Sequence, residues 1–252
     1  MRIFKTFDEA RGEIARDLKE MGIKIENERM QDKVGSFPTL ELINYGYVVT
    51  KPSFDDLRPV QPWASREWED RLNGVESNPS PLGTAWTSRA DDHMNWEEFV
   101  EYDGKPLPTG LSLNEARATN PAAKDDPIRF AYSYGERFAL NDQVLRVIRE
   151  LRRNPFSRQL YVSLWDPDVD VERLGVRRVP CSLGWHFMLR LGKLHVTYTM
   201  RSCDFVTHWE NDVWLTMKLL EYVAGKVGHG MGQFSQFINS FHVYEKDVKD
   251  VF

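Results

Sequence analysis

Cys181 sits in the tetrapeptide Val179-Pro180-Cys181-Ser182, just before an apolar run. A thiolate is a strong nucleophile, and cationic neighbours raise its fraction. Arg177, Arg178, Arg190 and Arg201 are close in sequence, and Pro180 fixes the approach of the chain. The alternative for any such cysteine is a small buried hydrophobe. Further on, Arg201-Ser202-Cys203-Asp204 joins a guanidinium fork to a hydroxyl, a pairing suited to a phosphate. A surface ion pair between Arg201 and Asp204 is the competing reading. Ser157-Arg158 repeats the Ser-Arg step between a helix end and a strand. His93, His186, His195, His208 and His229 offer no pair at metal-ligand spacing, so no metal is expected. Cys181 and Cys203 are the two cysteines, too few for a disulfide framework or a four-thiolate zinc site. Gly225, Gly228, Gly230 and Gly232 read as a loop, and no phosphate-cradling G-x-x-x-x-G-K-[ST] occurs.

These groups need elements to position them. Phe7, Ala10, Ile14, Leu18 and Met21 recur at helical spacing, and Gly22 ends that helix. Thr39 to Thr50 reads as a strand with a bulge or kink at Gly46. Trp63–Leu72 is a short helix. Residues 73–127, rich in proline and glycine, read as a long irregular insertion, with short helices at Asn95–Glu101 and Ser112–Thr119. Val144, Leu145, Ile148 and Leu151 mark a helix stopped at Asn154–Pro155. Leu160–Trp165 is a strand, and Trp185–Leu191 with Lys193–Met200 is a hairpin turning at Gly192. Asp212–Val223 is a helix; Phe234–Tyr244 is mixed. The pattern gives an α+β fold in a single domain over residues 1–252, with a mostly antiparallel sheet flanked by helices.

Composition narrows the function. The 252 residues carry 33 Lys+Arg against 38 Asp+Glu, a net charge of −5, which argues against nucleic acid as a partner. Local arginines can still hold a small anion. No apolar run approaches the roughly 18 residues of a membrane span, and the charged N-terminus has no signal core, so the expected location is the cytoplasm.

Taken in order, P-C-x-x-x-x-x-F (Pro180 to Phe187), R-S-C-D (Arg201 to Asp204) and H-x-Y (His242 to Tyr244) resemble the thymidylate synthase family. Asp142 to Trp165 is similar to its helix, arginine turn and strand; Ser133-Tyr134-Gly135 and Arg66-Glu67 resemble two further motifs. The resemblance covers most of residues 142–244 and scattered blocks before them. It implies a thymidylate synthase-like fold whose sheet serves in dimerisation, a pyrimidine nucleoside monophosphate as substrate, and 5,10-methylenetetrahydrofolate as co-substrate. It also implies roles. Cys181 would add to pyrimidine C6. Arg201 and Ser202 would bind phosphate, joined by Arg158 from the partner of a homodimer. His242 and Tyr244 would hold the sugar 3′-hydroxyl. Asp204 would bind the folate pterin, Glu67 would organise water and proton transfer, and Tyr134 would assist removal of the C5 proton. Lys33 would be the phosphate-loop cation, with Arg29 the alternative.

The departures are informative. Synthases of the family place Asn eight residues after the Asp of R-S-C-D; here that residue is Asp212. Asn matches the N3–H and O4 of uracil, whereas a carboxyl accepts from the cytosine amino group and, when protonated, donates to N3. Asp at this place resembles the deoxycytidylate hydroxymethylases, as does Thr39–Pro52. Asn211 is adjacent, and a one-residue shift would restore uracil reading. Either residue could instead cap the following helix. Gln159 replaces the second phosphate arginine and Ser182 replaces a histidine. Only eight residues follow Tyr244, so the tail that closes over folate in synthases is not expected; water rather than hydride would then complete the reaction. Trp86 and Trp96 are candidates for the folate-site tryptophan, with core packing the alternative. The resulting expectation is 5-hydroxymethylation of CMP or dCMP. A dCMP 5-methyltransferase and a thymidylate synthase acting on dUMP are the alternatives.

Overall fold

The computed structural model describes residues 1–26, 38–75, 80–82, 100–102, 105–106, 129–130, 133–139, 142–174 and 179–251. The N-terminal part supplies β1 (Arg2–Phe4), α1 (Phe7–Met21), β2 (Ile23–Ile25), β3 (Thr39–Val49) and α2 (Trp63–Asn73). Three short strands follow, β4 (Val100–Tyr102), β5 (Lys105–Pro106) and β6 (Arg129–Phe130), then α3 (Tyr134–Ala139) and α4 (Gln143–Arg153). The rest of the chain forms β7 (Tyr161–Ser163), α5 (Pro167–Arg173), β8 (Ser182–Arg190), β9 (Lys193–Asp204), α6 (Trp209–Val227) and β10 (Gly230–Tyr244).

Local sequence explains most of these elements. Thr6 Oγ1 accepts from the Glu9 N–H at 3.2 Å and starts α1, which turns Phe7, Ala10, Ile14 and Leu18 inward. Leu191 and Gly192 both adopt positive φ, 51° and 72°, the geometry that joins β8 to β9 in a tight hairpin. The kink expected at Gly46 is absent. Gly46 stays in the ladder opposite Phe237, whose ring would lie 3.1 Å from a Cβ there, so close packing explains the glycine. The irregularity falls instead at Asn44, at φ 55°, where asparagine tolerates the left-handed region. Its Oδ1 accepts from Asn239 Nδ2 at 2.9 Å.

Among the described residues seven strands form one sheet in the order β1-β3-β10-β9-β8-β7, with β2 also on β3. β10 is one continuous strand rather than mixed structure. It pairs antiparallel with β3 and parallel with β9; β1 also joins β3 in parallel, while β2–β3, β7–β8 and β8–β9 are antiparallel, so this sheet is mostly antiparallel as expected. The expected glycine loop is corrected too: Gly225 lies in the last turn of α6, Gly228 caps it, and Gly230 and Gly232 belong to β10. Of the helix expected at Asn95–Glu101, residues 95–99 lie outside the described residues, and Val100–Tyr102 is a strand that pairs with β5 and β6. The Ser112–Thr119 helix lies outside the described residues.

Helices cover one side. α1 packs on β3, and α6 packs on β9 and β10. α6 starts at Trp209, earlier than expected, because Trp209, Val213, Met217 and Leu220 all fall on its buried side. Phe7, Tyr47, Phe234 and Phe241 complete an aromatic core between α1 and the sheet. α2 lies against α3 and α6.

Candidate active site

Cys181 lies where the chain enters β8 and is partly exposed. The hairpin sets Ser182 opposite Met200, so Arg201 comes alongside the cysteine. The Arg201 N–H donates to the Cys181 carbonyl at 2.8 Å. Its guanidinium donates to the Val179 and Pro180 carbonyls at 2.8 and 2.9 Å, and Nη2 stands 3.5 Å from Cys181 Sγ. Arg201 is therefore not spent on an ion pair with Asp204. It braces the cysteine loop and sets a cation against the sulfur.

Tyr134, at the start of α3, faces the same loop. Its hydroxyl oxygen accepts from the backbone N–H of Cys181 at 3.0 Å and of Ser182 at 3.2 Å. The hydroxyl proton is thereby directed away from that backbone. Burial pushes the Tyr134 hydroxyl well above its ordinary value, reinforced by Cys181 and Asp212. Ser182 Oγ pairs with the buried Tyr198 hydroxyl, which burial also raises. Both phenols keep their protons at neutral pH.

The parallel pairing of β9 and β10 sets Ser202 beside Ser240 and Asp204 beside His242. His242 is buried, with its ring edge-on to Tyr244 at 5.5 Å and Nδ1 3.4 Å from Ser240 Oγ. Asp204 shapes the turn into α6: Oδ1 accepts from the Val206 N–H at 3.0 Å, and its carbonyl accepts from the His208 N–H at 3.1 Å.

The opposite wall comes from α2 and α6. Glu67 is buried; Oε1 accepts from Arg71 Nε and Nη2 at 3.1 and 2.9 Å, and Oε2 from the Leu82 N–H at 3.3 Å. Arg71 lies 5.9 Å over the ring of Tyr134. Asp212 shares this environment. Burial pushes its carboxyl from 3.8 up to about 7, the Arg71 charge pulls it down, and Glu67 pushes it up. Such a group can either donate or accept near neutral pH.

Asn211 is used otherwise. Its Oδ1 accepts from the Val60 N–H at 2.8 Å, and its Nδ2 donates to the Thr207 carbonyl at 3.1 Å. Both ends are committed to the main chain. The residue at the N-cap of α6 is His208, so neither Asn211 nor Asp212 caps that helix.

The structure thus gathers Cys181, Tyr134, Glu67, Arg201 and Asp212, with Ser202, Asp204, His242 and Tyr244 along the strand ends. It does not bring Arg158 to them. Arg158 is exposed, and its carbonyl lies 3.0 Å from His186 Nε2. His186 is five residues beyond Cys181 along β8, roughly 17 Å at about 3.3 Å per residue. Lys33, Arg29, Trp86 and Trp96 lie outside the described residues. Arg71 and Tyr198 were missed from sequence. The four-residue spacing of Glu67 and Arg71 on a helix was the available signal for the first; nothing local marked the second. Among the described residues no cluster of His, Cys, Asp and Glu could hold a metal ion. No helix among them is long and apolar enough to cross a membrane.

A family profile described as thymidylate synthase matches residues 15–252. A protein described as a putative thymidylate synthase from Methanosarcina barkeri is 38% identical over 211 residues, 81% of this chain and 82% of the relative. A protein described as a deoxyuridylate hydroxymethyltransferase from Pseudomonas phage M6 is 35% identical over 133 residues, 50% of this chain and 37% of the relative. The solved structure of thermostable thymidylate synthase A from Bacillus subtilis shares the fold, with a TM-score of 0.64 over 98% of this chain and 83% of that one, at 19% identity.

Proposed function

The chain belongs to the thymidylate synthase family, a family of enzymes that transfer one carbon from methylenetetrahydrofolate to a pyrimidine nucleotide, and from that premise we propose that it hydroxymethylates C5 of a cytidine monophosphate, CMP or dCMP. One observation carries the substrate choice. Asn211 is tied at both ends to Val60 and Thr207, which favours Asp212 as the residue that meets the base. A carboxyl poised near neutrality accepts from the C4 amino group and, when protonated, donates to N3. The name of the phage relative supports a hydroxymethyl product in this family; that relative is described as acting on deoxyuridylate.

In this reading Cys181 Sγ attacks C6, and the electrons of the C5=C6 bond move to C5. C5 attacks the one-carbon unit at the level of formaldehyde. The C5 proton leaves with assistance from Tyr134, and the bond to the folate nitrogen breaks, releasing tetrahydrofolate. Water held by Glu67 then adds to the exocyclic methylene while the cysteine is expelled from C6. The sum is nucleotide, methylenetetrahydrofolate and water giving 5-hydroxymethyl nucleotide and tetrahydrofolate, with no net redox change. Arg201 and Ser202 hold the phosphate, His242 and Tyr244 the 3′-hydroxyl, and Asp204 the pterin.

Arg158, far along β8 from its own Cys181, would complete the phosphate site of a second copy. The outward sheet face supports this pairing: Leu183, Met188 and Phe237 are only partly covered, and Tyr161 is exposed. The deciding experiment incubates the protein with methylenetetrahydrofolate and each of CMP, dCMP, UMP and dUMP, then weighs the product. A cytidylate gaining a hydroxymethyl group is the expected result. A methyl group formed with dihydrofolate, or a preference for a uridylate, overturns the reading.

A further inference from the structure

We propose that Arg71 is a positioning residue that fixes the Glu67 carboxylate at the active centre and supplies the positive charge that Glu67 and Asp212 share. The inference rests on the functional reading only in taking those two carboxyls as substrate-facing.

The geometry is specific. The side chains of Arg71 and Glu67 are 6% and 3% exposed. Two guanidinium nitrogens converge on Glu67 Oε1, and the Leu82 N–H holds Oε2, so both carboxylate oxygens are fixed. The guanidinium is itself held between aromatic faces, 5.9 Å over Tyr134 and 6.0 Å over Phe138. Tyr134 in turn anchors the N–H groups of Cys181 and Ser182. Arg71 thus links the acid on α2 to the cysteine loop without touching the cysteine.

Its second role is electrostatic. The titratable groups facing Asp212 are Arg71 and Glu67 of α2, Tyr134 of α3, and Tyr198 and Cys203 of β9. Arg71 is the cation of that set, and its charge holds the Asp212 carboxyl down. Removing Arg71 therefore raises the Asp212 carboxyl.

The test uses the full chain with 13C-labelled aspartate, the Asp212 signal being identified by its loss in Asp212→Asn. In Arg71→Met the Asp212 midpoint is expected to rise by about one pH unit, and in Arg71→Lys to return most of the way. With the nucleotide that the wild type converts, kcat is expected to fall at least about tenfold in Arg71→Met. A wild-type midpoint in a folded Arg71→Met overturns the proposal. If that variant does not fold, Arg71→Gln, which keeps donors without charge, faces the same criterion. The titration needs no nucleotide. Wild-type conversion of uridylates alone would therefore overturn the functional reading and leave this one standing.

Discussion

Replacing Asp212 with asparagine removes a carboxyl that burial holds at about 7 instead of 3.8. Because the folded pKa is raised, the native state binds more protons than the unfolded chain between those values. The contribution of this group to stability therefore falls as pH rises from about 4 to about 7, and is flat above. The gap is roughly three pH units, each worth about 1.36 kcal/mol, so the ionised carboxyl costs up to about 4 kcal/mol at pH 8 and nearly nothing at pH 4. Asparagine carries no such penalty. For a chain of this size about 2–4 °C accompany each kcal/mol, so the variant is expected to melt on the order of 10 °C higher than wild type at pH 8 and close to it at pH 4. Thermal unfolding of both proteins without nucleotide, followed by circular dichroism at the two pH values, measures this. The same substitution is expected to cost about 10- to 100-fold in kcat/KM for the cytidylate, the loss of a hydrogen bond of about 1.5–3 kcal/mol to a charged group. An equal change in melting at both pH values, or none at pH 8, would show that Asp212 does not hold a proton near neutrality and would remove the argument for cytosine.

Three further outcomes are expected. Cys181→Ala abolishes turnover, and mass spectrometry of mixtures with a 5-fluorinated nucleotide and methylenetetrahydrofolate shows an adduct on Cys181 of wild type and none in the variant. Asn211→Ala leaves the Val60 N–H without its acceptor and destabilises the fold by about 1–3 kcal/mol in urea titration, while the ratio of cytidylate to uridylate turnover is unchanged. Cys181→Ser and Arg158→Ala are each inactive alone, and mixing them after mild denaturation and refolding restores activity, because one hybrid site then has both an intact cysteine and an intact arginine.

Local pattern made much of this legible. The three- and four-residue spacing of α1 and α4 and the Leu191-Gly192 turn each follow from residues adjacent in the chain. β10 was obscured because buried Gln236, bonded to the Tyr47 hydroxyl and Met200 Sδ, interrupts its apolar alternation with a polar residue whose partners lie on other strands. Gly46 was misread for a similar reason: the ring that requires it belongs to Phe237. In the site, Cys181 and Arg201 could be paired by the hairpin between them. Asp212 could be chosen over Asn211 only by counting eight residues from Asp204; the engagement of Asn211 by the Val60 N–H, 151 residues away, left no local trace. Arg71 was hidden by its charge, which reads as surface until Glu67, Tyr134 and Phe138 are seen to enclose it.

On the proposed reading, the strand ends and the helices divide the labour around the nucleotide. Ser202, Asp204, Ser240 and His242 stand side by side because two strands run the same way and stop together, while Asp212, Glu67 and Arg71 are carried on α6 and α2. On that reading a substitution in the first turn of α6 would retune which nucleobase is welcomed without loosening the grip on sugar and phosphate. If so, a change of pyrimidine would need few steps, and each intermediate would keep its hold on the common part of the ligand.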